Sequence, residues 1–95
     1  MPAYLIARVK VQDHEAYKAY ALKSKPSIDA FGGKILTRGG VTEVLEGEDS
    51  SNRVVLVEFK DMATAKAWYN SDKYQEARLL RTPVSNATFM IIEST

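Results

Sequence analysis

Apolar and polar residues alternate from Ala3 to Val11, with Ala3, Leu5, Ala7, Val9 and Val11 on one face and Tyr4, Ile6, Arg8 and Lys10 on the other. That is strand spacing, with one face built for a core. From Asp13 the period lengthens. Asp13 can cap the free amides of a first helical turn, Glu15 sits near its positive end, and Tyr17, Tyr20, Ala21 and Ser24 mark one side of the helix. Pro26 has no amide proton, so a break is expected there, followed by a turn through Ile28 and Phe31 to a Gly32-Gly33 stop.

Lys34 to Arg38 reads as a second strand. Gly39-Gly40 predicts a bulge or kink, with pairing resumed over Val41 to Glu46. The polar run Gly47 to Asn52 is the expected hairpin loop. Val54 to Val57 is a continuous aliphatic run, the mark of a strand buried on both faces. Asp61 then starts a helix in which Met62, Ala65 and Trp68 or Tyr69 recur at helical spacing. Asn70, Ser71 and Asp72 interrupt it, and Asp72 with Gln75 three residues on predicts a second cap and a further segment from about Lys73 to Arg81. Thr82 to Asn86 is a linker. Ala87 to Glu93 is a last strand, with Phe89 and Ile91 opposite Met90 and Ile92.

The order β-α-β-β-α-β describes one α+β domain over residues 1–95. Right-handed crossovers fold it into a ferredoxin-like four-stranded antiparallel sheet with both helices on one face. The other face then exposes apolar residues of the third and last strands. A second copy of the chain is the expected cover.

Composition narrows the partners. A 95-residue chain buries only about 60–70% of the surface that its unfolded form exposes, so a partner's contribution matters. The net charge of +1 gives no broad attraction to nucleic acid or to an anionic membrane. The absence of cysteine excludes disulfides, thiolate metal sites and a cysteine nucleophile, and fits a reducing compartment. Arg8 and Lys10 interrupt the apolar N-terminal stretch, which is too short for a membrane span, so a cytoplasmic protein is expected.

The chain resembles domain-of-unknown-function family 1330, a branch of the dimeric α/β-barrel superfamily. The matching pieces are the helix of Tyr17 and Tyr20, Phe31-Gly32-Gly33, Arg38-Gly39-Gly40, Leu45-Glu46-Gly47, Glu58-Phe59, and Trp68-Tyr69-Asn70-Ser71 followed by Tyr74 and Arg81. The resemblance implies a homodimer whose two sheets pack face to face. Relatives elsewhere in the superfamily include cofactor-independent monooxygenases, isomerases and haem-degrading enzymes. It implies no agreed reaction for this branch.

Candidate chemistry rests on few residues. With the first and third strands taken as parallel neighbours, Arg8 and Glu58 fall together near their C-terminal ends, and the hairpin brings Arg38 to the same end. Such a cluster would make Glu58 a general base and the two arginines binders of an anionic substrate, with Tyr20 a proton donor. The alternative is an ion-pair network that fixes strand register or the dimer contact. Tyr17, Tyr20, Trp68, Tyr69 and Tyr74 either line an apolar cleft or fill the core. His14, the single histidine, falls at the first helical position, where solvent is expected. No zinc-binding, phosphate-loop or nucleophile-elbow motif is present, so no cofactor is expected. RNA binding through the open sheet is disfavoured, because Arg53 to Lys60 lacks the aromatic pattern of RNA-recognition domains. The remaining readings are a protein that binds or transforms a small organic molecule, anionic ones included, without a cofactor, and a non-catalytic structural or ligand-binding dimer.

Overall fold

The computed structural model describes all 95 residues. Strand β1 (Ala3–Val11) leads to helix α1 (His14–Ala30), then β2 (Lys34–Arg38), β3 (Arg53–Phe59), α2 (Met62–Asn70), α3 (Asp72–Arg81), a short 3-10 turn (Thr82–Val84) and β4 (Ser85–Glu93). The strands form one sheet in the order β2-β3-β1-β4 with every neighbouring pair antiparallel.

The alternation of β1 decides where the core lies. Ala3, Leu5, Ala7, Val9 and Val11 are all buried, and a single apolar cluster joins four of them to Tyr17, Tyr20 and Ile28 of α1, Trp68 of α2 and Tyr74 of α3. Val57 and Phe59 of β3 complete that side. On the other face, Ile6 and Leu56 are only half-buried, and Met90 and Ile92 are 48% and 53% exposed.

Two of the three helix starts follow the sequence and the third departs from it. Asp13 accepts from the Ala16 amide at 3.1 Å and Asp61 from the Thr64 amide at 2.7 Å. The expected break between α2 and α3 occurs, but Ser71 is the cap: its Oγ accepts from the Tyr74 amide at 3.2 Å, and Asp72 is the first helical residue. The chain therefore carries three helices rather than two.

Pro26 does not break α1, which runs on to Ala30. The amide that Pro26 lacks would have bonded the Leu22 carbonyl, and Leu22 is 78% exposed, so water can serve that carbonyl. Beyond the proline, Ser27 and Ile28 are both buried, and Ser27 Oγ accepts from the Trp68 indole N–H at 3.0 Å. Tertiary packing carries the helix past the missing bond.

The region between β2 and β3 also departs from expectation. The irregularity in pairing falls at Leu36, between Ile35 and Thr37, and Val41 to Glu46 forms no strand within the chain. Val41, Val44 and Leu45 are consequently exposed, at 105%, 54% and 86%. The segment is anchored at its far end by Asn52, whose side chain accepts from the Val11 amide at 2.8 Å and donates to the Val11 carbonyl at 3.1 Å. Asn52 thus acts as a surrogate strand residue beside the end of β1.

Candidate functional site

Between α1 and the sheet, Leu5, Ala7, Tyr17, Tyr20, Ile28, Val55 and Val57 enclose most of a small cavity, with Trp68 and Phe89 at its sides. Its volume is about 30 Å³, room for a water molecule or two. The wall is mainly apolar, and the polar side chains along it are Ser24, Lys25, Arg38, Arg53 and the two tyrosines. Arg38, Arg53, Ala21 and Lys25 also border an outer groove of about 490 Å³, together with Lys18, Pro26 and Asp29. The cavity and the groove therefore meet at the two arginines.

The cations of the groove differ in their partners. Lys25 is paired with Asp29 at 2.9 Å and Lys18 with Glu15 at 3.0 Å. Arg38 and Arg53 have no carboxylate within 4.0 Å. Arg53 lies with its guanidinium carbon 5.2 Å from the centre of the Tyr17 ring, and its Nε is buried without a hydrogen-bond partner. Gly39 makes that position possible. Its φ of +74° suits glycine, and a Cβ there would stand 2.7 Å from Arg53 Nη1, closer than any side chain tolerates.

The tyrosines form the inner wall. The Tyr20 and Tyr74 hydroxyls share a buried hydrogen bond at 3.0 Å. Burial pushes the pKa values of Tyr17, Tyr20 and Tyr74 above the ordinary phenol value, and the neighbouring Arg53 charge restrains the rise at Tyr17. Near neutral pH these phenols are neutral, so Tyr20 can orient a ligand by hydrogen bonding.

The cluster expected of Arg8, Glu58 and Arg38 does not form. β1 and β3 are antiparallel, so Arg8 stands opposite Val54 and Glu58 opposite Tyr4. Arg8 and Glu58 share the face of the sheet opposite the buried residues of β1 but lie four residues apart along the strands, about 13 Å at strand spacing. Arg38 stands opposite Val55, which itself lines the cavity beside Ala7, and so lies across the sheet from both. Tyr20 and Arg38 do line one cavity. His14 is exposed at the start of α1.

Neither Arg53 nor Arg81 was among the candidates for chemistry, although the pattern marks both. Arg53 alternates with Val55, Val57 and Phe59, which places it on the helix side of β3. Arg81 continues the stripe of Tyr74 and Ala77 on α3 and is 7% exposed. A charged residue on an apolar stripe is the signal in both.

The architecture defines the class: an α+β ferredoxin-like fold with an open four-stranded sheet. Solved structures share it at low identity. The protein RPA0582 of unknown function from Rhodopseudomonas palustris superposes with a TM-score of 0.79 at 20% identity, covering 99% of this chain and 82% of that one. SnoaB, a cofactor-independent oxygenase from Streptomyces nogalater, does so with a TM-score of 0.72 at 8% identity, covering 99% and 93%. A dimeric ferredoxin-like protein of unknown function from Jannaschia sp. CCS1 gives 0.72 at 12% identity, covering 99% and 100%. None of the curated proteins matches the chain in sequence. The family model for the domain of unknown function DUF1330 matches residues 2–95, and the chain belongs to that family. No helix is long and apolar enough to cross a membrane.

Proposed function

We propose that this protein is a homodimer that binds a small organic acid at the cavity between α1 and the sheet. The carrying observation is the meeting of an apolar cavity and an outer groove at Arg38 and Arg53, two guanidinium groups without carboxylate partners. A carboxylate on the ligand would accept from one or both arginines, and a compact apolar part would point towards Tyr17 and Tyr20. The cavity itself is small, so the acid group and much of the ligand occupy the groove.

The experiment is a titration with aromatic carboxylic acids and their neutral amides, followed by backbone NMR. The acids should shift signals of Tyr20, Arg38 and Arg53 in a saturable way, and the amides should bind about tenfold more weakly. Equal binding of acid and amide, or binding unaffected by Arg38→Ala and Arg53→Ala, would remove the reading.

The dimer is the second part of the proposal. Ile6, Leu56, Met90 and Ile92 leave an apolar strip on the helix-free face, and Val41 to Leu45 is a strand-like segment without a pairing partner in its own chain. A second copy brings both what they lack, an apolar face and a strand edge. The description of the Jannaschia structure as dimeric supports this reading.

A further inference from the structure

The far side of Tyr20 carries a second pair of arginines. Arg81 is 7% exposed and has no carboxylate partner. Its guanidinium carbon lies 4.4 Å from the centre of the Phe89 ring and 5.7 Å from that of Tyr20. The Nε atoms of Arg81 and Arg78 are both buried without a hydrogen-bond partner. Arg78 meets only the neutral Gln75, through Nη1 and Oε1 at 3.2 Å.

Both arginines border a surface concavity of about 330 Å³ together with Thr82, Ser85, Asn86 and Phe89, and no carboxylate lines it. Burying a guanidinium without a counter-charge is unfavourable, and ring contacts offset only part of that. The same contacts hold the planar fork of Arg81 in one orientation. The C-terminal carbonyls of α3 oppose an anion here, but they carry about half a charge between them against two full positive charges. Ser85 Oγ is committed to the Arg81 carbonyl at 2.8 Å, which leaves Thr82 and Asn86 as the neutral donors at the rim.

We infer that Arg78 and Arg81 form a binding site for a compact oxyanion, the carboxylate or phosphate group of a small molecule. The site is separate from the cavity bordered by Arg38 and Arg53: neither Arg78 nor Arg81 lines that cavity, and neither Arg38 nor Arg53 lines this concavity. It also lies on the helix side of β4, away from the face proposed for the dimer. Two acidic groups on one ligand, or two ligands, could thus be held on opposite sides of the tyrosine wall.

The test is a titration of the protein, with its arginine side chains labelled with ¹⁵N, by inorganic phosphate, acetate and chloride at matched ionic strength. The Nε–H signals of Arg78 and Arg81 should move saturably with phosphate or acetate and stay in place with chloride. Phosphate saturating and acetate not would assign the site to phosphate groups; the reverse would assign it to carboxylates. Arg78→Gln should weaken binding about fivefold and Arg81→Lys, which keeps the charge and loses the fork, about tenfold. If Arg81→Lys does not fold, Arg78→Gln carries the test. Arg38→Ala with Arg53→Ala should leave this titration unchanged. Equal response to chloride, no saturation by either oxyanion, or unaltered affinity in Arg78→Gln would overturn the assignment.

Discussion

The phenol oxygens of Tyr20 and Tyr74 stand 3.0 Å apart in the core, although 54 residues separate them in the chain. The bond ties α1 to α3 beside the cavity that Tyr20 lines. Each phenol gives the other the partner that burial denies it in water.

That burial predicts alkaline instability. Tyr17, Tyr20 and Tyr74 all have pKa values raised first by desolvation. A phenol whose folded pKa exceeds its unfolded value keeps its proton in the native state after the unfolded chain has released it. Stability is therefore unaffected by these groups below about pH 10 and falls above it, by up to about 1.4 kcal/mol per pH unit for each tyrosine. Tyrosinate absorbance of the native protein should lag behind that of the urea-unfolded chain, and coincident curves would contradict the burial argument.

Ser27 should be costly to remove. Its hydroxyl accepts from the Trp68 indole N–H, and it is fully buried. Ser27→Ala leaves that donor without a partner in the core, a loss of about 1–3 kcal/mol. Urea unfolding at fixed protein concentration measures it. A change close to zero would mean that the indole finds another acceptor.

Two polar residues should prove tolerant. Glu58 has no cation within 4.0 Å, and His14 is exposed at the helix start. Glu58→Gln and His14→Asn should each alter stability by no more than about 0.5 kcal/mol. The same substitutions should leave the proposed acid titration intact. A lost ligand with Glu58→Gln would restore that residue to the site.

Assembly gives the fourth expectation. Light scattering at micromolar concentration should report twice the chain mass, and Leu56→Asp or Met90→Asp should raise the dissociation constant by about a hundredfold. A stable wild-type monomer would remove the dimer; a dimer indifferent to both substitutions would move the interface elsewhere.

The element order, the core face of β1 and the break at Ser71 were legible because each depends on local spacing or a nearby cap. The continuation of α1 through Pro26 was not, since it rests on Ser27 meeting Trp68, a contact 41 residues away in sequence. Neither was the fate of Val41 to Glu46: the residues have strand character, but a strand exists only where an edge receives it. The candidate site suffered from one sign. Taking β1 and β3 as parallel placed Arg8 beside Glu58, whereas the antiparallel register separates them and leaves Arg38 and Tyr20 as the residues that share a cavity.

The sheet order has a consequence for the newly made chain. β1 lies between β3 and β4, so one of its edges stays unpaired until Ser85–Glu93 has been synthesised. The intervening 73 residues, 12–84, take roughly 4–15 s to assemble on a ribosome. Through that interval Ala3–Val11 carries an open backbone edge and an apolar face. Stalling translation before β4 should therefore yield a chain that aggregates or engages chaperones, whereas release after it should yield one that folds.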